Sequence, residues 1–183
     1  MKKLLIATLV STFALSAQAQ WYVQGDLGYS KIADDSDLID DSVFTQRISV
    51  GYDFGGYRIA ADYTNLGKTK NDVSYYSNFE ISTKVKSLGI SAIYDFKNNS
   101  DFTPYLGARL AYNKVDISVS GASYRYYSNI SVSESASRVG AGVLGGVQYK
   151  LTDNLKLNLG AEYNRLASDF AQVGVNAGLR YNF

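Results

Sequence analysis

The closing stretch of the sequence decides the fold, and it reads Val173-Gly174-Val175-Asn176-Ala177-Gly178-Leu179-Arg180-Tyr181-Asn182-Phe183. Apolar side chains stand at every second position, and small or polar ones stand between them. Successive side chains of a β-strand point to opposite faces, so this alternation predicts a strand with one apolar and one polar face.

The same alternation recurs seven times upstream. It occurs in the stretches 21–29, 48–54, 57–63, 88–96, 106–112, 139–151 and 155–163. We therefore predict eight strands. The apolar faces chosen in this way carry no charge, whereas the opposite faces carry Asp26, Arg47, Asp53, Arg58, Asp62, Asp95, Arg109, Arg138, Lys150, Lys156, Glu162 and Arg180.

Two architectures present eight alternating strands, and they differ in which face is dry. A soluble sandwich or barrel buries the apolar face, whereas a membrane barrel turns that face to lipid and the polar face to its interior. Aromatic residues such as Trp21, Tyr57 and Tyr94 stand at the ends of the apolar faces, with mainly aliphatic residues between them. That arrangement matches the aromatic girdles of membrane barrels. We predict an all-β, eight-stranded antiparallel transmembrane β-barrel.

The connections between the predicted strands alternate in length. Short turns are predicted at 53–56, 97–101 and 152–154. Long loops are predicted at 31–42, 65–84 and 114–137, and a short fourth link at 166–172. Short turns on one rim and long loops on the other are typical of outer-membrane barrels, with the short turns periplasmic and the long loops extracellular.

The beginning of the sequence is typical of a bacterial export signal. Lys2 and Lys3 precede an apolar stretch that is too short to span a bilayer, and Ala17-Gln18-Ala19 is a small-x-small cleavage site. We therefore expect a signal peptide over residues 1–19. A single barrel domain is expected over residues 20–183, beginning at Gln20.

The composition of the 183 residues excludes several functional classes. The chain has no histidine and no cysteine, so a Ser-His triad, a His-bound zinc and a disulfide framework are excluded. A formal net charge of +1 argues against a nucleic-acid binder. No Gly-x-Ser-x-Gly elbow is present, so we predict no enzyme, no catalytic residue and no cofactor. The first loop holds Asp34, Asp35, Asp37, Asp40 and Asp41, and we favour a solvated acidic loop over a calcium site, with no metal ligand assigned.

The charges of the polar faces are predicted to meet inside the barrel. Tracing the strands places Asp26, Asp62, Arg109 and Glu162 near mid-height, and places Asp53, Arg58, Asp95, Lys150, Lys156 and Arg180 towards the short turns. Because an isolated charge in a narrow interior is costly, Arg109 is expected to pair with Glu162, Asp26 or Asp62. The network is either a gated ion path or an interior plug. We favour the plug, since eight strands leave an interior just wide enough for side chains to fill.

Tyrosines crowd two of the long loops. The candidates for binding are Tyr75 and Tyr76 in the second loop, and Tyr124, Arg125, Tyr126 and Tyr127 in the third. Tyrosine among serine, glycine and asparagine is typical of adaptable binding loops. The alternative is that these tyrosines extend the strands above the membrane and pair across them.

The whole pattern resembles the opacity (Opa) family within the wider group of small eight-stranded outer-membrane β-barrels. The resemblance rests on the expected signal peptide, the eight strands, three long loops with a short fourth, and the Tyr181-Asn182-Phe183 ending. The stretch 102–110 also resembles the fifth-strand signature of that group.

This resemblance implies a location in the outer membrane of a Gram-negative bacterium and contact with its lipid. It also implies recognition by the outer-membrane assembly machinery through the strand that ends at Phe183, and loops that bind a host or environmental surface ligand. We expect a monomer whose barrel displays its loops for adhesion. A low-conductance porin-like channel is the alternative, and an outer-membrane enzyme is a distant one.

Overall fold

The computed structural model describes residues 20–34, 42–73, 78–122, 129–165 and 170–183. They form eight strands, namely β1 (Gln20–Asp34), β2 (Ser42–Asp53), β3 (Tyr57–Val73), β4 (Asn78–Asp95), β5 (Phe102–Ala122), β6 (Asn129–Lys150), β7 (Leu155–Arg165) and β8 (Phe170–Asn182). Each strand pairs antiparallel with its sequence neighbours. The ladder between β1 and β8, from Tyr22 opposite Asn182 to Asp34 opposite Phe170, closes the barrel. The predicted all-β, eight-stranded antiparallel barrel is confirmed.

The period of two along each strand separates an apolar outer face from a polar interior. On β4 and β5, Ile90 and Leu110 point outward with 64% and 63% of their surfaces exposed, whereas Ser91 and Arg109 point inward and are buried. Soluble monomers rarely expose continuous apolar patches of this kind. Here exposed apolar side chains surround the barrel, forming the band that a bilayer covers. No helix in the described part of the chain has the length and apolarity needed to cross a membrane.

Aromatic rings gather at the end of the band nearest the short turns. The ring of Tyr52 lies 5.2 Å from that of Trp21 and 4.8 Å from that of Phe54, between ring centroids. On the strands that follow, the rings of Phe102 and Tyr149 lie 4.7 Å apart. Such girdles occur where the hydrocarbon meets the headgroups, so this end of the barrel carries one membrane interface.

The three short turns lie where the sequence predicts them. β2 and β3 are joined by a turn in which Phe54 donates its N–H to the carbonyl of Tyr57 at 2.9 Å, and Gly55 has a φ of 89°. A positive φ is readily adopted by glycine, since it has no Cβ to clash with the backbone. The links between β4 and β5 (residues 96–101) and between β6 and β7 (residues 151–154) are also short.

The long connections are shorter than the sequence predicts, because the strands continue. Residues 65–84 were expected to form a loop, yet β3 runs to Val73 and β4 begins at Asn78. Residues 114–137 were also expected to form a loop, yet β5 runs to Ala122 and β6 begins at Asn129. The same correction, by a few residues, applies to 31–42 and 166–172. Beyond the bilayer both faces of a strand meet water, so the apolar alternation that marked the strands weakens while backbone pairing persists.

Candidate functional site

The interior of the barrel concentrates most of the buried charge of the described chain. Among described residues whose side chains are buried or half-buried there, five are acidic and five are basic: Asp26, Asp53, Asp62, Asp95, Glu162, Arg47, Arg58, Arg109, Lys156 and Arg180. Opposite charges in equal number permit pairing throughout, which a low-dielectric interior demands. They form two layers, one at mid-height and one nearer the short turns.

The mid-height layer is centred on Arg109. Its Nε donates to Asp62 Oδ2 at 3.0 Å, and its Nη2 reaches Asp62 Oδ1 at 2.5 Å, which makes a bidentate pair. Such fork-to-fork contacts are stronger and more directional than single hydrogen bonds. Gly89 leaves the space for this pair, because a Cβ at that position would lie 2.5 Å from Asp62 Oδ2. The structure therefore brings Arg109 together with Asp62, one of the three partners expected from the sequence.

Arg47 links this pair to Glu162. Its Nη2 lies 2.7 Å from Glu162 Oε2, and its Nε lies 3.7 Å from Asp62 Oδ1. Gln172 donates from Nε2 to the other carboxylate oxygen of Glu162 at 3.1 Å. Glu162 thus pairs with Arg47 rather than with Arg109.

Asp26 is held by amides. Gln24 donates to both of its carboxylate oxygens, at 3.0 and 2.9 Å, and Asn158 Nδ2 donates to Oδ1 at 2.9 Å. A cavity of about 40 Å³ adjoins these groups, bounded also by Arg47 and Tyr105. Space of this size holds roughly two or three water molecules.

The second layer stacks two arginines on one tyrosine. Arg58 makes a bidentate pair with Asp95, with donor–acceptor distances of 2.8 and 2.7 Å, and Arg180 Nη2 reaches Asp53 Oδ2 at 2.5 Å. The guanidinium carbons of Arg180 and Arg58 lie 4.1 and 5.7 Å from the ring centroid of Tyr22. Contacts of guanidinium with an aromatic ring within about 6 Å are attractive, and more so when water is excluded.

This second layer lies at the end of the barrel nearest the short turns. Arg180 is wholly buried and Arg58 is 2% exposed. Tyr105 places its ring 5.2 Å from the guanidinium carbon of Arg58. Gly51 leaves the space that the ring of Tyr22 occupies, because a Cβ at position 51 would lie 2.4 Å from that ring. The layer is therefore a packed partition of paired charges and rings.

Several interior residues differ from their expected roles. Lys150 lies at the predicted rim, but its side chain is exposed and its Nζ lies 2.7 Å from Asp153. Arg138 shares the interior parity of its partner Asn113 but is exposed. Arg47, Tyr22 and Tyr105 have structural roles that were not predicted from the sequence. Their positions in the sequence do indicate the interior. Each one alternates with the outward aromatic and aliphatic residues of its strand, so its side chain points to the opposite face.

The predicted loop sites lie outside the described residues. This applies to Tyr75, Tyr76 and residues 124–127, and to the acidic residues 35–41 of the possible calcium loop. Within the described ranges, no three His, Cys, Asp or Glu side chains come together as a metal site.

The fold and its filled interior define a small eight-stranded outer-membrane β-barrel. The family model described as "Opacity family porin protein" matches residues 50–183 of this chain. The chain belongs to this family and is an outer-membrane protein.

Relatives and solved structures support this assignment. An uncharacterized protein of Haemophilus influenzae is 53% identical over the full length of both chains. Opacity protein opA56 of Neisseria gonorrhoeae is 35% identical, with 75% of this chain and 77% of that protein covered. The crystal structure of Neisserial surface protein A superposes with a TM-score of 0.69 at 34% identity, and the match covers 90% of this chain and 99% of that one.

Proposed function

We propose that this protein is a closed membrane anchor that displays its long hairpins for adhesion to a host or environmental surface. The observation that carries the proposal is the length of the β5–β6 hairpin. The outward apolar face of β5 ends at Tyr112, yet pairing continues to Ala122 opposite Asn129. Those extra residues span about 33 Å along the strand at 3.3 Å each.

The neighbouring hairpin extends in the same direction. β3 and β4 remain paired up to Val73 opposite Phe79, well beyond the outward pair Tyr63 and Leu88. β4 and β5 also pair along this extension, as far as Asn78 opposite Ala122. A sheet of joined strands is stiffer than a single free loop, so it carries the connections at its tip away from the lipid headgroups.

The tips hold the residues best suited to contact a ligand. The β5–β6 connection contains Tyr124, Arg125, Tyr126 and Tyr127, and the β3–β4 connection contains Tyr75 and Tyr76. Tyrosine contributes a large contact area at a low entropic cost, and arginine adds stacking and hydrogen bonding. The proposal assigns adhesion to these tips and assigns no catalytic role to the protein.

The packed interior supports an anchor rather than a pore. Two layers of paired arginines and carboxylates occupy the cross-section, and the cavity beside them holds only a few waters. Barrels that keep an open aqueous channel use about sixteen strands. The word "porin" in the family description therefore does not require that this chain forms an open channel.

The experiment is to shorten one hairpin at a time in the intact protein. Replacing residues 117–134 with Asn-Gly leaves the register pair Asp116 and Ser135 to close a two-residue turn, which is a favoured hairpin connection. A matched control replaces 166–169, the connection at the same end between β7 and β8, with Asn-Gly. Bacteria expressing each variant are tested for binding to epithelial cells and to immobilised matrix proteins.

We expect the β5–β6 variant to lose binding and the control to retain it. A point variant with Tyr124, Tyr126 and Tyr127 changed to serine should reproduce much of the loss without altering the hairpin length. Heat-dependent migration on gels verifies that each barrel is folded. Unchanged binding after both the β3–β4 and the β5–β6 hairpins are shortened would refute display as the function.

A further inference from the structure

The outer surface changes from apolar to basic just beyond the hydrocarbon band at the long-hairpin end. On four strands the outward position after the last apolar side chain is a lysine or an arginine. Each of these basic residues lies two positions beyond the last apolar side chain on the same face. The pairs are Tyr29 and Lys31 on β1, Leu88 and Lys86 on β4, Tyr112 and Lys114 on β5, and Tyr163 and Arg165 on β7. On the other four strands the equivalent positions are Ser42, Asn65, Ser137 and Ala171, so no acidic residue occupies this level.

Two of these basic residues face each other across neighbouring strands. Lys86 of β4 stands directly opposite Lys114 of β5, and the next outward pair towards the membrane is Leu88 opposite Tyr112. Residues directly opposite on one face have Cβ atoms about 5 Å apart, and like charges at that separation are destabilising. A lysine pair at this point therefore calls for a negative charge to offset the repulsion.

Among the residues that the structure describes, one carboxylate lies close to this pair. Lys114 Nζ lies 3.5 Å from Asp116 Oδ1, and the lysine side chain remains 54% exposed. Exposed pairs of this kind contribute little, and one carboxylate cannot balance two ammonium groups. Both lysine side chains are exposed, so both can reach an external anion.

We propose that Lys86 and Lys114 bind a phosphate group of an anionic lipid in the outer leaflet. The pair lies about 7 Å along the strands from Leu88 and Tyr112, at two residues of 3.3 to 3.4 Å each. That is the depth at which headgroup phosphates follow the acyl chains. The exposed faces of Leu88, Ile90, Leu110 and Tyr112 lie below the lysines and provide apolar contact for those chains.

The chemistry of the site suits a lipid phosphate. Lysine binds phosphate as a compact point charge with three donors, and two lysines at directly opposed positions of neighbouring strands can offer donors to different oxygens of one phosphate. Each lysine near an anionic membrane surface contributes about 1 kcal/mol.

The test is a titration of the purified, folded protein in zwitterionic micelles. Three probes are compared by native mass spectrometry: a bis-phosphorylated glucosamine lipid, the same lipid without its phosphates, and inorganic phosphate. The variants are Lys86→Gln, Lys114→Gln and the double variant. The matched control is Lys97→Gln with Lys150→Gln, which removes two exposed lysines at the short-turn end.

We expect the wild type and the control to prefer the phosphorylated lipid. Each single variant should weaken its binding about fivefold and the double variant about thirtyfold, by the usual conversion of free energy into affinity. Binding of the lipid without phosphate should be alike in all variants. Equal affinity of the wild type and the double variant for the phosphorylated lipid would overturn the proposal. Inorganic phosphate binding as tightly as the lipid would show a free-anion site instead.

A stability measurement gives an independent readout. In zwitterionic micelles without phosphate, removing one lysine relieves repulsion, so Lys86→Gln should raise the urea midpoint of unfolding. In vesicles containing the phosphorylated lipid, the same variant should lower that midpoint, because it loses a ligand of the folded state. A change of the same sign in both settings contradicts a bridging phosphate.

Discussion

At the scale of single residues, the interior is governed by the cost of burying charge. Moving an ion out of water costs several kcal/mol even after relaxation, so a buried arginine requires a carboxylate with good geometry. Arg58 and Arg109 each receive a bidentate partner, and Arg180 receives Asp53 together with the ring of Tyr22. The Arg109–Asp62 pair joins β5 to β3, the Arg180–Asp53 pair joins β8 to β2, and the Arg58–Asp95 pair joins the neighbouring strands β3 and β4. The pairs therefore help fix the register of the barrel as well as filling it.

The Arg109–Asp62 pair gives a direct test of this idea. Arg109→Met leaves Asp62 buried with Arg47 3.7 Å away as its remaining cationic neighbour, so unfolding should become easier by about 3 kcal/mol. The double variant Arg109→Met with Asp62→Leu removes both charges and should recover part of that loss. Urea unfolding in lipid vesicles, followed by the fluorescence of Trp21, measures the change.

The matched control for this cycle is Lys97→Met, which removes an exposed lysine at the short-turn end and should leave the midpoint unchanged. The idea of a required charge pair would be wrong if the double variant proved less stable than Arg109→Met alone. It would also be wrong if Arg109→Met and Lys97→Met behaved alike.

At the scale of strands, the sequence predicts the faces well and the ends poorly. The period of two correctly assigns Ile90 and Leu110 to the outside, and Asp62 and Arg109 to the interior, because lipid and lumen impose opposite demands on alternate positions. Beyond the bilayer that contrast disappears, and the upper parts of β3 to β6 were therefore predicted as loops. The sequence also did not determine which carboxylate pairs with Arg109, because this choice depends on the strand register and on the space left by Gly89.

The outward face of β5 allows a test of whether this strand lies against the hydrocarbon of the membrane. Leu110 is 63% exposed and lies opposite Ile90, which is equally exposed. In water, replacing such an exposed leucine with arginine would cost little. In a bilayer, Leu110→Arg should destabilise the barrel by about 2–4 kcal/mol if the site lies near the midplane. Unfolding in vesicles measures the cost, with Lys114→Arg as the control on the same face of the same strand.

A negligible effect of Leu110→Arg would contradict the placement of this face against hydrocarbon. The comparison with zwitterionic micelles of short chain length adds a second check. The thinner and more adaptable apolar layer there should reduce the cost.

The last strand carries a prediction about assembly. Phe183 packs its ring 5.3 Å from that of Tyr181 and donates its N–H to the carbonyl of Trp21 at 3.0 Å, which helps to join β8 to β1. We expect Phe183→Ala to reduce the amount of folded protein in the outer membrane several-fold while the purified variant still refolds in detergent. Immunoblots of membrane fractions measure the amount. Phe102→Ala, which removes another exposed girdle aromatic, is the control, and equal loss in both variants would argue against a specific role of the ending.

At the scale of the whole molecule, the outer and the inner surface of the barrel both stabilise it in the membrane. The outside is an uncharged apolar band that secures the barrel in lipid, and the inside is a set of matched charges that secures the strands to one another. In the described part of the chain the interior is occupied largely by paired side chains, and a cavity of about 40 Å³ lies beside the mid-height layer. The extended strands β3 to β6 continue from this base beyond the apolar band and stay paired with one another.

The proposed interior plug predicts the electrical behaviour of the molecule. In planar bilayers the wild type should show no large, steady conductance, because we expect the layer of Arg58, Arg180 and Tyr22 to block ions at the end near the short turns. Arg109→Ala should remain nearly closed for the same reason. Combining Arg109→Ala with Tyr22→Ala opens both layers and should raise the conductance, provided that the variant still folds. A large and steady current through the wild type would show that the interior is a path rather than a plug, and it would favour the porin-like alternative over the anchor.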